Sequence, residues 1–150
     1  MSKIGRDALV EMVRAGDALM EASRALFSRW DLSPAQFNVL SVLEPTTEGF
    51  TQTELSDLLV THRSNVTGLV DRMEKREWLN RTPDPTDRRV NRIVLTQKGR
   101  DLLDTVRPHY FEIADQIWGD RPDDAGIQLG DLLRDIRNAS LESAHELAQK

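Results

Sequence analysis

The 150-residue sequence contains no cysteine, which excludes disulfide bonds, thiolate metal sites and an oxidation switch built on a thiol. It also has no apolar run that approaches the length of a membrane span. Its N-terminal segment carries charges every few residues instead of the apolar core of a signal peptide. Chains without disulfides suit a reducing compartment, so we expect this protein in the cytoplasm.

Motifs typical of catalysis are missing from the sequence as well. It contains no glycine-rich phosphate loop, no nucleophile elbow and no carboxylate pair on facing elements. Two acidic pairs lie in a predicted turn and a predicted loop, where we expect them to be solvated: Asp84 with Asp87, and Asp123 with Asp124. Three scattered histidines are too few for a metal site. We therefore predict no enzyme, no catalytic residue, no metal ion and no resident cofactor.

The formal net charge is −5, but the charge is distributed unevenly along the chain. The segment from Val60 to Arg100 holds ten Lys or Arg and five Asp or Glu, a balance of +5, whereas residues 1–59 carry −4 and residues 101–150 carry −6. A local basic patch is what phosphate binding requires, whatever the total charge. Charge alone is equally compatible with a solvated helix face. Binding to a duplex would require the basic side chains of this segment to form one continuous face.

Helical patterns begin at the N-terminus and are separated by clear start signals. Apolar residues recur at helical spacing over residues 4–30. In "DLSPAQ", Ser33 can cap a second helix, Pro34 suits its first turn and Gln36 stands where a capping-box partner belongs. "TQTE" is a second capping box and opens a third helix. The residues of this third helix that we expect to point inward are Leu55, Leu58 and Leu59.

A fourth helix follows after a tight turn, with Thr61 as its predicted cap. Its apolar stripe consists of Val66, Leu69, Val70 and Met73. Its opposite side carries Ser64, Thr67, Gly68, Asp71 and Lys75, flanked by Asn65 and Arg72. Two short helices joined by a tight turn are typical of a helix-turn-helix motif, whose second helix enters the major groove of DNA.

A β-hairpin is predicted directly after the fourth helix. "WLNRTP" predicts a strand that Pro83 ends, "DPTDR" is typical of a turn, and "VNRIVL" predicts the return strand. Arg88 and Arg89 lie at the tip of this hairpin, where flat guanidinium groups suit a narrow minor groove. Asp87 can hold one of them in place through charge-assisted hydrogen bonds. Taken alone, the arginine pair is also compatible with an ordinary solvated turn.

Two long helices complete the predicted fold, which is mainly α with a short hairpin. Thr96 caps the first, and Pro108 is predicted to interrupt and bend it. The second spans residues 127–147. The terminal segments are more apolar than three short helices and a hairpin can cover. They could pack on each other within one subunit, but we favour burial against a second subunit.

The sequence resembles the MarR family of winged-helix transcription regulators. The resemblance is carried by "LSPAQFNVL", "TQTELSDLL", "THRSNVTGLVDRMEKREWLNR" and "DPTDRRVNRIVLTQKG". It implies a single domain over residues 1–150, with a winged helix-turn-helix lobe at about 32–99 and dimerisation helices at about 4–30 and 100–148. It also implies a homodimer that binds a pseudo-palindromic double-stranded DNA operator, most often as a repressor.

Site residues follow from the same resemblance. It places helix 62–77 in the major groove and the wing, residues 83–91, in the minor groove. Arg89 then corresponds to the arginine that enters the minor groove, Asp87 to its orienting carboxylate, and Arg72 to a position that supports DNA binding. The residues that we expect at the DNA are Arg63, Ser64, Asn65, Thr67, Arg72, Asp87, Arg88 and Arg89.

The resemblance further implies a small aromatic or phenolic effector that binds between the DNA-binding lobe and the dimer helices. Residues to watch for this are Trp30, Phe37, His62 and Tyr110. Plain packing is the alternative for each of them, and it is the favoured interpretation for Trp30 and Phe37. A competing interpretation is a winged helix used only for protein contact, without specific DNA binding. Such a module would need neither the arginine pair nor the basic segment.

Overall fold

The computed structural model describes residues 3–59 and 63–149, and within these it gives no side-chain description for Lys3, Arg63 and Ser64. The elements are α1 (Lys3–Phe27), a 3₁₀ turn (Ser28–Trp30), α2 (Pro34–Leu43), β1 (Phe50–Thr51), α3 (Gln52–Leu59), α4 (Arg63–Lys75), β2 (Leu79–Pro83), β3 (Asn91–Leu95), α5 (Gln97–Trp118) and α6 (Asp123–Ala148). The fold is mainly helical, as predicted. The chain forms two compact units, one up to Glu112 and one from Ile113 onwards.

Both predicted capping boxes are present. Ser33 Oγ accepts a hydrogen bond from the Gln36 backbone N–H at 3.2 Å, and the Ser33 N–H donates to Gln36 Oε1 at 2.8 Å. In the same way, Thr51 Oγ1 accepts from the Glu54 N–H at 3.2 Å, and the Thr51 N–H donates to Glu54 Oε2 at 2.7 Å. These bonds satisfy N–H groups that a helix start leaves without partners, so α2 and α3 begin where the sequence indicates.

The core lies between the end of α1, helices α2, α3 and α4, the sheet and the first half of α5. Its fully buried side chains are Phe27, Val39, Leu40, Leu43, Leu55, Val66, Val70, Met73, Leu79, Ile93, Leu103 and Val106. The predicted inward face of α3 is wrong in part, because Leu58 is 51% exposed. The second buried residue of α3 is Ser56, and Leu58 lies 200° around the helix from it.

Three antiparallel strands form the sheet, in the order β1-β3-β2. The hairpin was predicted, but the short edge strand β1 was not; it places Phe50 opposite Ile93. Gly49 leads into β1 with a φ of +69°, and a Cβ atom there would lie 2.0 Å from the Ile93 carbonyl oxygen. Only glycine fits this close approach of two backbones. The loop before β1 is therefore fixed tightly against β3.

The long helices differ from the prediction in detail. Helix α5 continues through Pro108, so the predicted interruption is absent. It ends at Trp118, and the Gly119 that follows has a φ of +62° and an N–H that bonds to the Asp115 carbonyl at 2.8 Å. Helix α6 begins at Asp123, four residues before the predicted start, and none of its side chains is buried. Within residues 3–59 and 63–149, no helix is both long and apolar enough to cross a membrane.

Candidate nucleic-acid interface

Helix α4 divides into a buried and an exposed side as its sequence predicts. Its predicted apolar stripe is buried in the core. Asn65, Thr67 and Arg72 are exposed on the other side. Thr67 Oγ1 accepts a hydrogen bond from the Gln52 side-chain amide, which links the exposed sides of α3 and α4. The predicted cap Thr61 and His62 lie outside the described residues, and the positions of the Arg63 and Ser64 side chains stay predictions.

Arg81 of β2 fastens the hairpin to helix α4. Its guanidinium contacts Asp71 Oδ1 at 2.5 Å and also pairs with the Glu74 carboxylate. The Arg81 backbone N–H donates to Glu74 Oε1 at 3.2 Å. Burial acts to lower the pKa of Arg81, but its bonds to these two carboxylates outweigh that effect and raise it. Asp71, predicted on the open side of α4, is therefore engaged within the fold.

Other basic side chains of the Val60–Arg100 segment also serve the fold. The Arg76 guanidinium pairs with Asp31, donates to the Asp31 carbonyl at 2.7 Å, and lies 4.8 Å above the Trp78 ring. Lys98 Nζ pairs with Glu77 at 2.8 Å. The expectation of one continuous basic face is thus wrong in part, because several of these charges are neutralised by neighbouring carboxylates. In the described part of the chain, the exposed cations without an ion pair in this segment are Arg72, Lys75 and Arg88.

The hairpin tip presents Arg89 in a fixed geometry. Arg89 Nε donates to Asp87 Oδ1 at 3.0 Å, and Arg89 Nη2 donates to Asp87 Oδ2 at 2.9 Å. The Arg89 backbone N–H also bonds to Asp87 Oδ1 at 3.0 Å. These bonds lower the pKa of Asp87 and raise that of Arg89. The Arg89 side chain is nevertheless 89% exposed, so it is oriented before any partner arrives.

Asp84 at the base of the tip is buried, which corrects the prediction that it is solvated. Its Oδ1 accepts from the Thr86 N–H at 2.8 Å, the Thr86 hydroxyl at 2.6 Å and the Asp87 N–H at 3.1 Å. Its Oδ2 accepts from Arg92 Nη1 at 2.9 Å. The Thr86 hydroxyl and the Arg92 guanidinium hold the pKa of this carboxyl well below its usual range. An Asp two residues before a Thr in a turn is a sequence signal for such bonds.

Comparison with known proteins shows which family this chain is similar to. The MarR family model matches residues 32–90, from the start of α2 to the end of the wing tip. The helix-turn-helix transcriptional regulator YkoM of Bacillus subtilis, itself uncharacterized, is 33% identical over 116 residues, which cover 77% of this chain and 72% of YkoM. The chain belongs to the MarR family. Its class is therefore that of the helix-turn-helix transcription regulators.

One further sequence relative and one solved structure are similar to this MarR-family chain. The transcriptional repressor MprA of Escherichia coli K12 is 32% identical over 101 residues, 67% of this chain. That match spans only 57% of the length of MprA. The structure of CouR from Rhodococcus jostii RHA1, solved with p-coumaroyl-CoA, superimposes with a TM-score of 0.81 at 26% identity and covers 91% of this chain and 95% of that one.

An aromatic cluster lies away from the wing, within the first compact unit of the MarR fold. Phe27 and Phe37 stack at 4.5 Å between ring centroids, and Tyr110 lies 4.9 Å from Phe37. Phe37 is buried, so packing accounts for it, as the sequence analysis allowed. Trp30 is half-buried and lies 5.2 Å from the His109 ring. Over residues 3–59 and 63–149, no cluster of three or more His, Asp or Glu side chains could hold a metal ion.

Proposed function

We propose that this protein is a transcription regulator that binds a specific pseudo-palindromic DNA duplex as a homodimer. Helix 62–77 lies in the major groove, and the wing, residues 83–91, lies in the minor groove. The observation that carries the proposal is the exposed guanidinium of Arg89, which Asp87 holds in place at the tip of a hairpin next to α4. A narrow minor groove concentrates negative potential, and a rigid arginine is the side chain that exploits it.

The exposed side chains of α4 suit the two tasks of a recognition helix. Asn65 near its start can pair with the edge of an adenine through two hydrogen bonds in the major groove. Arg72 and Lys75 lie further along the helix, where positive charges contact phosphates and fix the register. We assign base choice to Arg63, Ser64, Asn65 and Thr67, and backbone or groove contacts to Arg72, Arg88 and Arg89.

Dimerisation is supported by apolar surface that one chain leaves exposed. The large apolar residues concerned are Ile4, Val10, Val13, Leu19 and Met20 on α1, and Ile127, Leu129, Leu132, Leu133, Leu141 and Leu147 on α6. Exposed large apolar side chains in such numbers on a helix are typical of a protein interface. A two-fold dimer presents two copies of α4 to half-sites about one helical turn of DNA apart, about 34–36 Å. We therefore propose that residues 1–150 form a single domain that dimerises. We also propose that the protein acts in the cytoplasm, where its DNA lies.

Repression with relief by a small ligand is the mode that we propose. MprA is named a repressor, and CouR was solved with a phenolic thioester. For this chain we propose a small aromatic or phenolic effector near the half-buried Trp30 ring and the exposed His109 ring. Such a ligand changes DNA affinity only if it prefers one of two conformations of the dimer.

Selection of bound duplexes from a random pool tests the proposal. We expect a recovered site with two-fold symmetry, and we expect Arg89→Ala to weaken binding to that site by about tenfold or more in fluorescence anisotropy. Arg24→Ala is the matched control, because it removes the same charge from α1, where Arg24 pairs with Glu21 on the same helix. If no sequence is enriched, the chain is a winged-helix module for protein contact. If Arg89→Ala binds like the wild type, the wing assignment is wrong.

A further inference from the structure

Two arginines hold the wing hairpin from opposite faces. Arg81 on β2 reaches helix α4, whereas Arg92 on β3 reaches the loop before β1. In the antiparallel register of β2 and β3, Arg92 lies opposite Thr82, and the neighbouring Ile93 lies opposite Arg81. Because successive side chains of a strand point to opposite faces, the two arginines leave the hairpin on different sides.

We propose that Arg92 is a positioning residue for DNA binding, which sets the direction in which the wing tip presents Arg89 by holding Asp84. This inference rests on the proposed function, because a fixed tip matters only if it enters a groove. Arg92 itself lies one residue pair below the turn, opposite Thr82, and is only 20% exposed, so its contribution runs through the tip and not through direct contact.

All three nitrogens of the Arg92 guanidinium are engaged. Nε donates to the Glu48 carbonyl at 2.9 Å, and Nη2 donates to the Gly49 carbonyl at 2.8 Å. Nη1 donates to Asp84 Oδ2 at 2.9 Å. The planar fork of an arginine can bind two carbonyls and a carboxylate in three directions at once, whereas the ammonium group of a lysine is a compact point charge. Arg92 thus joins the wing to a loop more than 40 residues earlier in the chain.

Asp84 carries this attachment on to the tip. Its other carboxylate oxygen, Oδ1, accepts from the backbone N–H groups of Thr86 and Asp87. The Asp84 N–H closes the turn by bonding to the Val90 carbonyl at 2.9 Å. The Asp87 carboxylate then holds the Arg89 side chain. An unbroken series of hydrogen bonds therefore runs from the Glu48–Gly49 carbonyls to the guanidinium at the tip.

Loss of Arg92 would break this series at its base. The Asp84 carboxylate is buried, and its lowered pKa means that it is charged at neutral pH, so it would lose its counter-charge. The Asp87–Arg89 pair would survive, since its bonds are local to the tip. Arg81 still holds β2 to α4, so the strands stay in place while the turn loses its attachment to the loop before β1. We therefore expect a tip whose direction relative to the strands is no longer fixed, in which Arg89 contributes much less to binding.

A double-mutant cycle on the selected duplex tests this inference. The variants are Arg92→Gln, Arg89→Ala and the combination of the two, with Arg92→Lys as the conservative change. Arg107→Gln is the matched control, because Arg107 is also half-buried and pairs with a carboxylate, Glu44 at 3.3 Å, away from the wing. Affinity is measured by fluorescence anisotropy at fixed salt, and folding is checked by circular dichroism.

We expect Arg92→Gln to weaken binding by about tenfold or more, and we expect Arg89→Ala to cost less than about twofold further in that background. Arg92→Lys should bind as weakly as Arg92→Gln. Arg107→Gln should bind within about twofold of the wild type. Equal losses from Arg89→Ala in both backgrounds would overturn the positioning role. So would an Arg107→Gln loss as large as that of Arg92→Gln.

Two further results are distinguishable. If Arg92→Gln does not fold, Asp84→Asn replaces it in the same cycle, because it keeps the shape of the side chain and removes only the charge that Arg92 binds. If the wild-type protein selects no duplex, the proposed function fails and the positioning role fails with it. A wild type that binds a selected site, together with independent losses in the cycle, removes the positioning role alone.

Discussion

Replacing Arg88 by alanine removes an exposed positive charge from the wing tip without breaking any ion pair in the described part of the chain. If the proposed interface is correct, this arginine contacts DNA phosphate and releases a counterion on binding. The affinity for DNA should then depend less steeply on salt. The steepness of the salt dependence follows from the number of cations that contact DNA. A change in steepness can therefore be distinguished from a loss of affinity that is the same at every salt concentration.

Among the side chains that the structure describes, four exposed cations per chain are available at the proposed interface: Arg72, Lys75, Arg88 and Arg89. A dimer offers two sets, or eight, and at about 0.9 per contact the logarithm of the binding constant should fall with the logarithm of salt concentration with a slope of about −7. With Arg88→Ala in both subunits, six remain and the slope becomes about −5.4. A fourfold rise in salt then weakens the wild type roughly 20,000-fold and the variant roughly 2,000-fold.

Anisotropy titrations of the selected duplex at four or more salt concentrations would give both slopes. Arg24→Ala changes the net charge equally but lies on α1 beside Glu21, so its slope should match that of the wild type. Equal slopes for the wild type and Arg88→Ala would refute the reasoning. They would mean that the exposed cations of the wing do not contact the duplex.

Two other predictions concern folding. Gly49→Ala should lower the free energy of unfolding by about 2 kcal/mol or more in urea denaturation, because its Cβ would meet the Ile93 carbonyl in a left-handed conformation; Gly16→Ala, with open space around it, should not destabilise. The pKa of Asp84 is lowered from 3.8 on folding, so the unfolded chain binds more protons near that pH. The stability that Asp84 contributes should be present above pH 3.8 and be lost as the pH falls below it. The difference in urea midpoint between wild type and Asp84→Asn should therefore shrink on acidification, and a constant difference would contradict the assignment.

Local signals in the sequence predicted the local parts of this fold. Ser33 with Gln36 and Thr51 with Glu54 locate two helix starts, because a capping box depends only on residues three positions apart. The wing follows from the turn chemistry around Asp84 for the same reason. The DNA-binding roles of the residues on α4 and the wing remain predictions that come from the family resemblance.

Contacts between distant parts of the chain escaped the sequence analysis. The edge strand β1 exists because Phe50 pairs with Ile93, and two residues are too few to leave a periodic pattern. The position of Arg92 within a strand gives no indication that its partners are the Glu48 and Gly49 carbonyls. The same guanidinium binds the Asp84 carboxylate, which is buried although its place in a charged turn predicted a solvated side chain.

The internal pairing of basic side chains has a consequence for how this protein would search a genome. Arg76, Arg81 and Arg92 each face a carboxylate of the fold, so they add little to the field that an approaching polyanion feels. Beyond a Debye length of about 8 Å, salt screens the field of the remaining cations. At closer range, the surplus of carboxylates elsewhere on the chain repels the DNA and opposes loose association. Random stretches of chromosome would thus be held weakly, and the protein would spend less of its time trapped on them.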